Sequence, residues 1–581
     1  MMYASHAHPV ALTPLPPVPV RGKGERARSG PLTLGQLNIL QWIVTAPEPF
    51  DAAIGGPLDF PEGTRVADVA DSLAVLLARH EGLRTTIVNE HPPYQRVAAD
   101  AELLIDVYEV DPSGAEPPDR GTLTAALGRT WVFDPAFGLS RLPLWVAIAT
   151  VSDVVHAAVV RCSHLTVDFQ ALQILQREFA QLVREPAARL PGTPRHQPLD
   201  QVKLEGSERM QRRTERALRH AESSLARMHP CLYPAPRTEL ASRSMSVEIS
   251  SEAAANALRR IAARTGRSRS SAVLAAISAL LCWRLGQREL VFPTLASNRF
   301  EGHLVGFLGT LVQATVAVAE VGTASFDELV GRAWRAVLHA SRHGMYDVLR
   351  HDALAKRVAH ERGVRFTFEP FFNSPAVDLA NPDGEVPPAS ALAVGRATFR
   401  REEMRATAQL IRFDLFGFEP AMRLSLWSGD TSRLGVEEAE TLLLAVERLL
   451  VAAARGDLEP EQVGAALAVE PIRYGPDWLL VDSCRVELPE VQRLLDDALA
   501  PATARIYPEV AGAPLVAYIV AGAGVGSPAE AHARCLAALP GRPTAIAPRH
   551  YVLWEAAPED PADRDGWQRM VSEGSGRTRV G

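Results

Sequence analysis

The sequence predicts a multidomain α/β protein that ends in a smaller α/β segment. Three observations lead there. The chain has 581 residues, several times the length of a typical domain. It is 47% hydrophobic and 22% charged, the balance of a globular protein. Along most of its length, runs with helical spacing alternate with short β-branched runs.

Residues 1–30 are rich in Pro, Gly and Arg without a period and read as a disordered leader. A first lobe is expected over 31–200. Within it, Arg65 to Arg79 repeats apolar residues at Val66, Val69, Leu73, Leu76 and Leu77, one face of a helix. Val154 to Cys162 is an apolar, β-branched run and reads as a buried strand. Phe169 to Val183 carries Leu172, Leu175, Phe179 and Leu182 at helical spacing. The residues between, Ser163 to Asp168, therefore fall on a strand-to-helix turn. Glu185 to Gln201 holds four prolines and reads as a linker.

A second lobe is expected over 201–455. It opens with a charged helix, Ser207 to Met228, and continues with a long apolar helix, Ser271 to Leu285. Strands are expected near Leu290, Leu311 and Phe366. A last region, 470–570, alternates strands and helices on a smaller scale. No repeat of fixed period runs through the chain.

Composition excludes several function classes. Net charge is −7 and the sequence pI about 6.2, without the basic stripe of a nucleic-acid binder. No apolar run is long enough to span a bilayer, so no membrane partner is expected. The N-terminus lacks the apolar core of a signal peptide, which points to the cytoplasm. Five cysteines (Cys162, Cys231, Cys282, Cys484, Cys535) form no Cys-x-x-Cys pair, which fits a reducing compartment and no metal site. Only three lysines occur, Lys23, Lys203 and Lys356, so nothing after Lys356 can act as a catalytic ammonium.

The chemistry-bearing residues lie on the strand-to-helix turn. His164 and Asp168 are spaced His-x-x-x-Asp. Acyl transfer needs a base beside the attacking amine or hydroxyl, and imidazole titrates near working pH. A carboxylate four residues on can hold the turn in shape. Taken alone, the spacing equally describes a surface turn with Asp168 capping the following helix.

Neighbouring segments supply context. Ser163-His164-Leu165-Thr166-Val167-Asp168-Phe169 resembles the His-His-x-x-x-Asp-Gly motif of the condensation domains of nonribosomal peptide synthetases. Leu32-Thr33-Leu34-Gly35-Gln36 resembles that family's opening Ser/Thr-x-x-Gln. Arg79-His80-Glu81-Gly82-Leu83-Arg84-Thr85 is similar to its Arg-His-Glu-x-Leu-Arg-Thr. Ser297-Asn298-Arg299, Val305-Gly306-Phe307-Leu308-Gly309-Thr310-Leu311 and Phe413-Asp414-Leu415 resemble further family segments in the right order. The resemblance runs from about Leu32 to Ala454.

The resemblance implies two chloramphenicol-acetyltransferase-like lobes in a V-shaped condensation fold, with a tunnel between them. It implies an acyltransferase of natural-product biosynthesis. The acyl or aminoacyl donor would arrive as a phosphopantetheine thioester on an acyl or peptidyl carrier protein. The acceptor would be an amine or an alcohol, and no cofactor would be bound permanently. His164 is carried over as catalytic. Asp168, paired with Arg299, would support the motif, with Ser163 beside it. Two departures stand out: Ser163 replaces the first motif histidine and Phe169 replaces glycine. Three readings stay open: a condensing enzyme, an acyltransferase using coenzyme A thioesters, and a silent scaffold that recruits other assembly-line proteins.

Other residues admit plainer readings. Cys162 reads as a buried strand cysteine and His80 as a structural residue at a helix end. Arg209, Arg212, Arg213, Arg216 and Arg219 line one helix; they read as a solvated face, or as a receiving surface for an acidic carrier protein. Arg485-Val486-Glu487-Leu488-Pro489-Glu490-Val491 and Leu515-Val516-Ala517-Tyr518-Ile519-Val520 resemble the C-terminal subdomain of adenylate-forming enzymes. Where those enzymes carry Gly-Lys, Asp563-Arg564 stands. The phosphate loop and the large adenylation subdomain are not found, so 470–570 is read as a remnant that binds no nucleotide. No Gly-Gly-x-Ser carrier site is found, and action in trans on a separate carrier protein is expected.

Overall fold

The computed structural model describes all residues except 1–9, 46–50, 111–116, 186–189, 191–195, 231–232, 234–242, 376–385, 405–410, 483, 509–514, 523 and 578–581. The start of the leader, most of the proline-rich linker and Cys231 lie outside the described residues. The chain divides into two compact units. The first comprises Met1–Arg216, Ala296–Gln313 and Gly344–Val348; the second comprises Ala217–Leu295, Ala314–His343 and Leu349–Gly581.

The first unit is built on a five-stranded sheet. Its order is Leu12–Lys23, Asp100–Val110, Leu144–Val151, Val154–Ser163, Ala53–Pro57. Asp100–Val110 and Leu144–Val151 run parallel, and the other neighbours are antiparallel. Ser152 and Asp153, at φ of 51° and 72°, make the tight turn into Val154–Ser163. Alternation along that strand serves two cores. Ala158, Val160 and Cys162 face the helices Val66–Arg79 and Phe169–Arg184, which contribute Leu73, Leu76, Leu172, Leu175 and Phe179. Ala157 and Val159 face Leu123 and Leu127 of the helix Arg120–Thr130. A small sheet of Arg28–Pro31, Tyr94–Val97 and Thr85–Val88 stands beside them.

The leader is a correction to the sequence reading. Leu12–Lys23 is a strand paired along its length with Asp100–Val110. It carries Pro14, Pro16, Pro17 and Pro19, which donate no backbone hydrogen bond. Its place at the edge of the sheet, with a register shift between Leu15 and Val18, tolerates them.

The second unit holds a seven-stranded mixed sheet. Its order is Gln313–Glu320, Glu289–Ala296, Phe371–Asn373, Ile411–Gly417, Met422–Ser428, Ser244–Ser251, Thr398–Met404. The helices Glu252–Thr265, Arg269–Leu285, Phe326–Arg342 and Val436–Ala453 share its core. The strand expected near Phe366 is displaced: the chain becomes extended and paired at Phe371–Asn373. Phe366 instead packs its ring near that of Phe368, at 5.9 Å between centroids.

The C-terminal region has a four-stranded sheet, Ala504–Pro508, Leu515–Val520, His550–Ala556 and Gln568–Gly574, with the helices Leu488–Leu499 and Pro528–Ala538. It has an apolar core of its own, joined by Val364. It nevertheless belongs to the second unit. Gly363, at φ of 68°, accepts a hydrogen bond from the Ala547 amide at 2.8 Å. A Cβ on Gly363 would sit 3.1 Å from the Ala547 carbonyl oxygen, so the position suits glycine. Among the described residues, no helix is long and apolar enough to cross a membrane.

Candidate active site

The strand Val154–Ser163 ends at Ser163, whose amide donates to the Pro143 carbonyl at 2.9 Å. The amides of Thr166 and Val167 both donate to the Ser163 carbonyl at 3.1 Å, closing a tight turn. Asp168 then starts the helix Phe169–Arg184, its carboxylate accepting from the Ala171 amide at 2.8 Å. The turn is thus set by its own short-range hydrogen bonds, and His164 stands at its head.

The imidazole of His164 is half-buried. Its Nδ1 lies 3.1 Å from the Val167 carbonyl oxygen. A carbonyl only accepts, so this hydrogen bond places the proton on Nδ1 and leaves the Nε2 lone pair for another partner. Desolvation lowers the pKa of His164 below its ordinary 6.5, against the opposing pull of Asp168 and the Val167 bond. The ring is therefore neutral at pH 7. Trp42, on the helix Leu34–Val44, approaches edge-on at 6.3 Å between ring centroids.

Asp168 and Arg299 meet at 2.8 Å, both side chains almost fully buried. Arg299 also donates to the carbonyls of Leu304, Phe307 and Gly309 at 3.1, 2.6 and 2.8 Å. The second Asp168 oxygen accepts from the Leu311 amide at 3.0 Å. Arg299 thereby gathers the loop 304–309 around itself, and Asp168 ties that loop to the turn. Asn298 turns the chain into this arrangement at φ of 57° and donates to the carbonyls of Leu311 and Gly344.

The other motif-bearing segments of this unit converge on the same place. Gly35 meets the Thr310 backbone so closely that a Cβ would lie 2.2 Å from its oxygen. Gly82 stands likewise against the Leu308 carbonyl, at 2.5 Å. His80 is buried and its Nε2 lies 2.7 Å from Glu178, as a structural residue would. Arg84 donates to the carbonyls of Leu77 and Ala98. Phe413-Asp414-Leu415 lies in the second unit, where Asp414 takes both a bidentate Arg412 contact at 2.8 Å and the Asn373 amide.

The contact of Thr310 with His164 was missed by sequence reasoning, although Thr310 lies in one of the motif-like segments. Its hydroxyl donates to the His164 carbonyl at 2.6 Å, across 146 positions of sequence. No local pattern could have paired them. Ser163 is buried against Gly138, where a Cβ would fall 2.1 Å from the serine oxygen. A histidine in place of Ser163 has no room without that loop moving. Phe169 is 43% exposed and takes the first helical position without a left-handed φ, so it does not strain the turn. Cys162 is fully buried and burial pushes its thiol well up, which leaves no thiolate for nucleophilic attack.

Comparison with known proteins adds the following. The family model described as Condensation domain matches residues 57–381, more than half of the chain. No curated protein sequence matches. Among solved structures, a condensation domain mediating chain release from the enacyloxin polyketide synthase is 17% identical, at TM-score 0.56, covering 81% of this chain and 87% of that one. The starter condensation domain of rhizomide synthetase, a mutant in complex with C8-CoA, is 13% identical at TM-score 0.57, covering 76% and 98%. The X-domain in complex with OxyB, from teicoplanin biosynthesis, is 18% identical at TM-score 0.54, covering 76% and 97%.

Proposed function

The chain belongs to the condensation-domain family, and we propose that it is an acyltransferase of natural-product biosynthesis that uses His164 as its proton acceptor. The donor in this reading is an acyl or aminoacyl group held as a thioester on the phosphopantetheine arm of a carrier protein, approached in trans. The acceptor is an amine or an alcohol. The single observation that supports this is the fixed tautomer of His164: Nδ1 is engaged by the Val167 carbonyl, and Nε2 keeps its lone pair on a neutral ring.

The steps follow from that atom. The acceptor N–H or O–H donates to Nε2 as its heavy atom attacks the thioester carbonyl. A C–N or C–O bond forms and Nε2 takes the proton. As the tetrahedral centre collapses, the C–S bond breaks and the departing sulfur takes the proton back. Asp168 and Arg299 move no proton; they hold the turn and the facing loop in register. In the C-terminal segment, Arg564 stands where the resemblance to adenylate-forming enzymes puts a lysine. Its guanidinium lies 5.8 Å from the ring centroids of both Tyr507 and Tyr518, and the role proposed for this segment is packing rather than nucleotide chemistry.

A second reading, a silent scaffold, is favoured by Phe169 in the glycine position and by the likeness to an X-domain. Single-turnover assays with loaded carrier proteins and a panel of amines and alcohols separate the two. Wild type and Ser163→Ala should form product, whereas His164→Ala should lose about 10²–10⁴-fold in rate with its fold intact. Full rate in His164→Ala sinks the mechanism. A wild type inert to the whole panel, yet retaining carrier or enzyme partners unchanged in His164→Ala, supports the scaffold.

A further inference from the structure

Three histidines of the second unit meet away from the motif turn. His220 lies on the helix Glu208–Arg227, and His339 and His343 stand one turn apart at the end of the helix Phe326–Arg342. The rings of His220 and His343 stack at 4.7 Å between centroids and 22° between planes. His339 lies 4.9 Å from the first and 4.7 Å from the second. One nitrogen of each falls within 4.8 Å of the other two. We propose that these three imidazoles form a binding site for a divalent transition-metal ion, with a fourth coordination position open to water.

The hydrogen bonds around the cluster carry the argument. His220 Nε2 donates to the Val316 carbonyl at 2.8 Å, which leaves Nδ1 as its ligand atom. His343 Nδ1 donates to the His339 carbonyl at 2.9 Å, which leaves Nε2. Metal-bound histidines characteristically give their second ring N–H to a carbonyl or a carboxylate, which fixes tautomer and orientation. Two of the three are already so held.

Donor chemistry selects the ion. Three imidazoles without a carboxylate disfavour Mg²⁺ and Ca²⁺ and suit Zn²⁺, Ni²⁺, Co²⁺ or Cu²⁺. Tetrahedral Zn²⁺ with bonds of ~2.0–2.1 Å wants its nitrogens roughly 3.4 Å apart, so the nitrogens, within 4.8 Å of one another, must close by up to about 1.4 Å. His339 is exposed and has room for that adjustment, and the stack of His220 on His343 must open until their in-plane lone pairs converge on the ion, each ring keeping its bond to a carbonyl. A His₃ set with one open position resembles catalytic rather than closed structural zinc sites. Here the position opens to solvent at a helix end, and the immediate effect of metal would be to tie Glu208–Arg227 to Phe326–Arg342. The cysteine pattern gave no hint of this, because the ligands are imidazoles from two distant helices.

Cobalt titration of the full chain, stripped with chelator, tests the site. Wild type should develop the intense visible bands of four-coordinate Co²⁺, saturating at one equivalent and lost on adding Zn²⁺. Saturating Zn²⁺ should raise Tm by a few degrees, roughly the shift expected at 100-fold excess over Kd. His339→Ala, at the exposed position, should keep the circular dichroism of wild type and lose both signals, as should His339→Ala/His343→Ala. A wild-type spectrum that stays that of six-coordinate aqueous Co²⁺, or equal responses in the variants, overturns the proposal.

Discussion

At the scale of single residues, the protonation of His164 sets the expected pH dependence. Its pKa is depressed below 6.5, chiefly by desolvation. A general base works while unprotonated, so in the proposed reaction turnover should fall on acidification with a midpoint below pH 6.5. A pH–rate profile of a single-turnover reaction checks this; a midpoint above 6.5 argues against His164 as the base. His532 makes a companion case for stability. It is fully buried, its Nε2 donates to the His360 carbonyl at 2.9 Å, and Tyr551 lies 3.0 Å from Nδ1. Desolvation lowers its pKa to about 4. The unfolded chain therefore binds this proton first on acidification. Stability is fully present above pH 6.5 and declines between pH 6.5 and about 4, by roughly 3 kcal/mol at about 1.36 kcal/mol per pH unit. Denaturant titrations of wild type and His532→Gln across that window should show the slope reduced in the variant.

At the scale of elements, Asp168 does two structural jobs. It caps the helix Phe169–Arg184 and it holds Arg299 and the Leu311 amide. Removing it leaves a buried guanidinium without its carboxylate, a loss of about 3–5 kcal/mol. Asp168→Ala should therefore lower unfolding stability along with activity, as read by urea melts. Full thermal stability without activity contradicts a supporting role. The helix itself was legible because Leu172, Leu175, Phe179 and Leu182 keep its period, and the strand before it because Val154 to Cys162 is β-branched. Leu12–Lys23 was illegible for the opposite reason. Its prolines forbid a central strand, and only the finished sheet supplies the edge on which they are harmless. The strand sought near Phe366 failed likewise: an aromatic, apolar run there serves packing between helices, and pairing starts five residues on. His164, Asp168 and Arg299 were read from motif likeness. Thr310 and Val167 lie in the motif-like segments too, but their bonds to His164 were not legible, since backbone acceptors and contacts across 146 positions leave no mark on local sequence.

At the scale of the whole molecule, chain order and spatial grouping part company. Residues 296–313 belong with Met1–Arg216, although 79 residues of the second unit separate the two stretches, from Ala217 to Leu295. The partners of Asp168 are thus encoded far downstream of it. This has a consequence for how such proteins can be recombined. A hybrid made at the proline-rich linker, joining residues 1–200 of this chain to the remainder of a relative, inherits Asp168 from one parent and the segment corresponding to Arg299 to Leu311 from the other. Such hybrids should express poorly or unfold early, and grafting residues 296–313 of this chain into them should restore melting temperature. The heritable unit around this motif is two stretches of gene rather than one, and a breeder of condensation-domain chimeras would have to move both together.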